Sequence, residues 1–234
     1  MKKTITIILA AIGIMSCGNN QEIAPTENEQ NSVQMTGKDR QEALAGKEGN
    51  MILEELKGRD VVLFVADEDE ISQADVPFPV VYTGMGKMRM FSALVKWYET
   101  RADGGSPVIL NIGSAGSAKY PIGTILNCSH FVNGGSELIF DQIDVPGDGC
   151  SVFSGDYFMS TQTFSPEQVK ALSTQYDLFD MEAYAAAQFC KMHGIPFYCL
   201  KAVSDNMDGS LKDWRSILSE IRSHFTSLLK NLGE

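Results

Sequence analysis

Histidine and tryptophan are scarce in this chain, and cysteine is too sparse to organise a fold. The three histidines, His130, His193 and His224, stand far apart, and a single cysteine near one of them, such as Cys128 beside His130, does not make a ligand set. That spacing is not a metal-ligand pattern, so neither a metal nor any other cofactor is expected. Five cysteines in 234 residues make no disulfide framework. Cys128, Cys150, Cys190 and Cys199 sit in apolar or strand-like stretches, where free cysteine is usually a small core residue. Positive charge is also short: 19 Lys and Arg face 30 Asp and Glu, a net −11. Such a surface is unsuited to neutralising nucleic-acid phosphates, while a small neutral substrate remains compatible with it. There is no internal repeat, no collagen-like period and no apolar run long enough for an ordinary spanning helix.

What is present suits one folded domain behind a polar leader. Hydrophobic residues make up 44% of the chain, enough for a sizeable core at this length. Residues 1–17 read MKKTITIILAAIGIMSC. Lys2 and Lys3 precede the short apolar run Ile5–Met15, the order of an export signal. Ile14, Met15, Ser16 and Cys17 resemble the end of a bacterial lipoprotein signal. Cleavage over 1–16 would leave Cys17 as the lipid-bearing first residue, and stable anchoring takes two or more acyl chains. The expected location is then the membrane, on the periplasmic side. The competing reading makes this run a buried first strand of a cytoplasmic domain.

Residues 17–57 are polar and aperiodic, an acidic tether with at most one short helix near Arg40–Ala45. Residues 18–75 hold 14 acids and 5 bases, whereas residues 76–234 hold 16 and 12. The negative excess therefore sits before the domain, 58–234, and at its first edge.

Within that domain, strands and helices alternate. VVLFVA (61–66), VPFPVVYT (76–83), PVILNIG (107–113), TILNCSHFV (124–132), CSVFS (150–154) and PFYCLKAVS (196–204) read as strands. A helix follows the Gly84–Lys87 turn to about Thr100, with Met88, Phe91, Leu94, Val95 and Tyr98 at helical spacing. A second runs from Pro166 to Thr174 behind a Ser165 cap. A third begins at Asp180 or Met181 and stops near Gly194. A final amphipathic helix, Leu211–Leu229, has Trp214, Ile217, Leu218, Ile221, Phe225 and Leu228 on its apolar face. Apolar strands separated by helices imply an α/β domain with helices on both faces of the sheet.

In such domains functional residues gather where strands end. Glu70 follows the first strand, Ser114 to Gly116 follow VILNIG, Met181 and Glu182 open a helix, and Asp205 ends a strand. Each has an ordinary structural explanation. ADEDE can be a solvated acidic loop, Glu182 a first-turn acid, and Asp205 a turn cap. Met181 and Phe158 can be core residues, and Gly113 and Gly116 can serve a tight turn. Their joint occurrence in this order favours a site.

NIGSAG, SGDYF, DMEAYAAAQFC and IPFYCLKAVSD together resemble the nucleoside phosphorylase and nucleosidase superfamily, nearest to the methylthioadenosine/S-adenosylhomocysteine nucleosidase type. The resemblance covers about residues 60–231. It implies a three-layer α/β/α sandwich with a central mixed sheet, and cleavage of a purine N-glycosidic bond. It implies that Glu70 activates water, Glu182 binds ribose and Met181 lies beneath the sugar. Phe158 would stack on the base, Ser114 and Gly116 form the turn beside the sugar, and Asp205 recognises and protonates the purine. The partner it implies is a small purine nucleoside, and it leaves a homodimer open.

Family phosphorylases of the purine type carry arginine just before the glycine-rich turn, where this chain has Asn111, Ile112 and Gly113. Water is therefore the expected nucleophile. Arg89 keeps a purine nucleoside phosphorylase as the alternative, beside a nucleoside-binding lipoprotein without turnover. The segment from His130 to Ser151 is shorter than the family's usual one, which leaves the 5′ substituent and the oligomer open.

Overall fold

The computed structural model describes residues 52–101, 105–135, 141–209, 214–230 and 232. The signal over 1–16, Cys17 and the tether up to residue 51 lie outside the described residues. Among the described residues no helix is long and apolar enough to cross a membrane.

Eight strands form one sheet: β1 Val61–Val65, β2 Val80–Tyr82, β3 Val108–Gly116, β4 Ile125–Asn133, β5 Gln142–Asp144, β6 Cys150–Ser154, β7 Leu178–Asp180 and β8 Phe197–Asp205. Beside the helical residues 52–56, the longer helices among the described residues are α1 Lys87–Thr100, α2 Pro166–Gln175, α3 Ala183–His193 and α4 Trp214–Lys230. Every residue of β1 is buried, as expected for an apolar run pairing in parallel with strands on both sides. Those neighbours are β2 and β3, and β3 continues in parallel to β8.

The sheet then closes on itself. β8 pairs antiparallel with the first third of β4, from Ile125 to Asn127. The rest of β4 pairs with β6, β6 with β7, and β7 returns to β3 through the single bridge Gly116↔Phe179. The ring β3–β8–β4–β6–β7 is thus a small barrel, with β1 and β2 extending it on one side and β5 on the other. β7 and β5 have three residues each, too short to show a sequence period.

Two apolar clusters face opposite sides of the sheet and make the α/β/α layering. One joins Met90 and Leu94 of α1 and the small face of α3 to Phe64, Ile109, Phe131 and Val203. The other joins Ile221, Phe225 and Leu229 of α4 to Leu63, Leu110, Ile112 and Leu200. A fully buried phenylalanine such as Phe225 contributes roughly 1.5–3 kcal/mol by leaving water. Ile52, Leu53 and Leu56 belong to the second cluster, and residues 52–56 are helical. The packed structure therefore reaches back before residue 58.

Several boundaries differ from those read in the sequence. β2 occupies only Val80–Tyr82 of the 76–83 stretch because Pro77 and Pro79 lack N–H donors. α3 starts at Ala183, since Leu178–Asp180 is a strand. Met88 is 78% exposed, and Met90 takes the buried position on α1. The side chain of Trp214 lies outside the described residues. Ser165 and Gln168 form a reciprocal capping box at α2, with Pro166 in the first turn. Cys128, Cys190 and Cys199 are buried and Cys150 is half-buried, and none of the four is in a disulfide among the described residues.

Candidate active site

Glu70, Ser114, Gly116, Phe158, Met181, Glu182 and Asp205 all line one cavity at the carboxyl ends of the strands. Strand topology brings them there. Glu70 lies just past β1, Ser114 and Gly116 on β3, Glu182 between β7 and α3, and Asp205 at the end of β8. Phe158 lies on the segment after β6, 37% exposed at the cavity wall. Cys17 lies outside the described residues.

Glu70 is 5% exposed and held from one side only. Its Oε1 accepts from the Ser114 N–H at 2.7 Å and the Ser114 hydroxyl at 2.7 Å. Its Oε2 is buried with no hydrogen-bond partner in the protein. A buried carboxylate oxygen without a donor costs roughly 1–3 kcal/mol or more, so this atom is set for a ligand or a water.

Asp205 sits at the other end. β3 and β8 run in register until Ala115↔Val203, then shift so that Gly116 stands opposite Asp205 and Ser204 is the extra residue. A bulge of this kind re-aims a side chain. The Asp205 carboxylate accepts from the Met207 N–H at 2.9 Å and the Ser204 hydroxyl at 3.1 Å. Burial raises its pKa above the ordinary aspartate value and outweighs both hydrogen bonds. Gly116 is needed for this approach: a Cβ there would lie 2.9 Å from Met207 Cγ and 3.0 Å from Asp205 Oδ1. A Cβ on Gly113 would lie 3.3 Å from Glu70 Oε1. Three strand rises, roughly 10 Å, separate those two glycine positions along β3.

Glu182 lines the same cavity, 6% exposed. Its Oε1 accepts the Gly86 N–H at 2.6 Å. Gly86 has φ 108°, a left-handed backbone that suits glycine, and so turns its N–H to the carboxylate. Burial, then Asp180, push the Glu182 pKa up from 4.5 to about 7, against the opposing pull of Lys201. Between pH 4.5 and 7 the folded chain therefore binds more protons at Glu182 than the unfolded chain. Stability falls as pH rises through that window, and the full cost persists above it. Glu182→Gln keeps an acceptor for Gly86 but removes the charge. Thermal unfolding at pH 8 should show the variant more stable by about 2–3 kcal/mol, with little difference at pH 4.5. A lower melting temperature at pH 8 is the contrary result.

Two buried charges, Asp180 in the cavity wall and Lys201 behind it, escape sequence reading. Lys201 is 1% exposed and pairs with Asp180 Oδ2 at 2.8 Å. Asp180 also accepts from the Ser154 hydroxyl at 2.5 Å and the Ala183 N–H at 2.9 Å. Burial pulls the Lys201 pKa down, but Asp180, with Glu182 and Glu70, outweighs it and holds the ammonium charged. A lysine within the apolar run FYCLKAV is the signal that could have identified it. Arg89 does not line the cavity; its side chain lies against Gly84, beside a separate groove on α1. Among the described residues no group of three or more His, Cys, Asp and Glu side chains is arranged to hold a metal ion.

Residues 148–232 match the model of the family described as the Phosphorylase superfamily. Comparison with curated protein sequences gave no match. Among solved structures, the chain resembles an aspartate-to-asparagine mutant of a Helicobacter pylori nucleosidase with 5′-methylthioadenosine in the active site. Identity is 18%, coverage 74% of this chain and 99% of that one, and the TM-score 0.59. Native futalosine hydrolase of Helicobacter pylori matches at 18% identity over 75% and 97% of the two chains, TM-score 0.60. The 5′-methylthioadenosine/S-adenosylhomocysteine nucleosidase of Neisseria meningitidis matches at 17% over 74% and 96%, TM-score 0.59. These likenesses establish a mixed α/β fold of the nucleoside phosphorylase kind.

Proposed function

We propose that this chain is a purine nucleosidase that cleaves the N-glycosidic bond by attack of water. The observation that carries the reading is Glu70 Oε2, buried and without a protein partner, in the same cavity as Asp205, whose pKa burial raises. One carboxylate is placed to take a proton and the other to give one.

The chemistry follows from those two states. A purine leaves poorly as an anion. A proton from Asp205 to ring nitrogen N7 neutralises the charge that accumulates as the C1′–N9 bond breaks. General acid transfer of this kind contributes roughly 10²–10⁴-fold. The sugar turns cationic at C1′, and Glu182 at the ribose hydroxyls favours that charge. Water at Glu70 Oε2 attacks C1′ and Glu70 takes its proton. The electron pair of the broken bond stays with the purine, and solvent restores both carboxyl groups. This is the two-carboxylate logic of glycoside hydrolysis with a base as leaving group. Lys201 compensates the carboxylates from beneath without reaching the cavity surface.

Water is favoured over phosphate by the lining itself. Asp67, Asp69, Glu70, Asp180, Glu182 and Asp205 face the cavity, and none of the described residues lining it is Arg, Lys or His. A phosphate nucleophile ordinarily needs arginine. The test is release of free base from methylthioadenosine, S-adenosylhomocysteine, adenosine and inosine, with and without phosphate. Base should appear at the same rate in both. A strict requirement for phosphate would mean a phosphorylase, and tight binding without release would mean a binding protein.

We also propose, from residues 1–17 alone, that the chain is exported and carries lipid on Cys17. The membrane-fraction protein should then have the mass of a chain beginning at Cys17 plus acyl groups. An unprocessed Met1 chain in the soluble fraction would contradict this.

A further inference from the structure

We propose that Asp67 and Asp69 select the charge of the substrate's 5′ substituent, favouring a cationic group and rejecting an anionic one. This rests on the nucleosidase reading, because that reading orients the ligand. In the sheet, β3 separates β1 from β8. Asp205 ends β8 and takes the base. Asp67 and Asp69 follow β1, two strands away, which is roughly 10 Å. A nucleoside with its base at Asp205 and C1′ near Glu70 directs its 5′ carbon toward the β1 loop.

Both aspartates are exposed and line the cavity with the buried Glu70. Asp67 Oδ1 accepts the Asp69 N–H at 2.9 Å, and the Glu70 N–H donates to the Asp67 carbonyl at 3.1 Å. The unpartnered Glu70 Oε2 marks this same cavity as one that takes a polar ligand. No cationic side chain among the described lining residues offsets these acids. Lys201 Nζ is buried and paired with Asp180. A 5′-phosphate would meet carboxylates of its own sign at short range. A 5′-ammonium would meet charges opposite to its own, in a partly desolvated cleft where the attraction exceeds its value in water.

The test uses the full chain and three adenosine derivatives: 5′-amino-5′-deoxyadenosine, 5′-deoxyadenosine and adenosine 5′-monophosphate. Dissociation constants by calorimetry and kcat/KM for base release are both read at pH 7. The amino compound should be favoured over the neutral one by about tenfold, and the monophosphate disfavoured by about 100-fold. Raising salt from 50 to 500 mM should shrink both ratios. The double variant Asp67→Asn, Asp69→Asn should bring all three compounds within about threefold; asparagine at 67 still offers an acceptor for the Asp69 N–H. Equal affinity of wild-type chain for the amino and neutral compounds, or salt-independent ratios, would overturn the proposal even if the double variant did not fold. Failure of base release with the charge ratios intact would overturn only the nucleosidase reading. Binding of none of the three would overturn both.

Discussion

Asp205→Asn should lower kcat for adenosine on the order of 10²–10⁴-fold while changing KM only a few-fold. An asparagine oxygen can still accept the Met207 N–H, which Asp205 Oδ1 accepts at 2.9 Å, and the side chain has the same shape beside Gly116. What it lacks is a carboxyl proton. Burial raises the Asp205 pKa, so its acid form persists to higher pH than that of an ordinary aspartate and is lost as pH rises further. The wild-type rate should therefore fall on the alkaline side as Asp205 ionises, and the variant should lose that limb. A riboside with a good leaving group, such as p-nitrophenyl, needs no protonation and should be cleaved by wild type and variant at similar rates. If the variant keeps more than a tenth of wild-type kcat on adenosine, Asp205 is not the acid. If it fails equally on the p-nitrophenyl riboside, its role is in binding or shape.

Lys201→Met should be the most destabilising single change at the site. Removing the ammonium leaves Asp180 buried with only the Ser154 hydroxyl and the Ala183 N–H, and leaves Glu182 and Glu70 without their buried counter-charge. Breaking one side of a buried ion pair costs roughly 3–5 kcal/mol, which for a domain of this size lowers the melting temperature on the order of 10 °C. The deficit should shrink at pH 5, where the orphaned carboxylates can take protons. Adding Asp180→Asn should recover much of the loss, because the pair is then replaced by neutral groups. A melting temperature within 2 °C of wild type at pH 7 would show that Lys201 does not compensate these acids.

The two predictions divide what was legible in the chain from what was not. Apolar runs at β1, β3 and β8, with helical spacing between them, determine an α/β domain, because a strand buried on both faces must be apolar at every position. The same strand-end logic singles out Glu70, Ser114, Glu182 and Asp205, since a residue just past a buried strand is forced to the sheet's edge. Lys201 and Asp180 were not found that way. Lys201 lies within a strand, where a charge makes sense only beside a buried partner, and that partner is 21 positions earlier in the chain. Asp180 ends a three-residue strand too short to show a period.

Closure of the sheet was equally hidden in the sequence. It depends on one long strand, β4, changing partners from β8 to β6, and on the lone Gly116↔Phe179 bridge. Local sequence determined the elements and their order, because burial and backbone preference act over a few residues. Only the tertiary structure decided which carboxylates share a cavity, whose pKa burial raises and which oxygen is left open. Those outcomes depend on desolvation and on charges brought together from opposite ends of the chain.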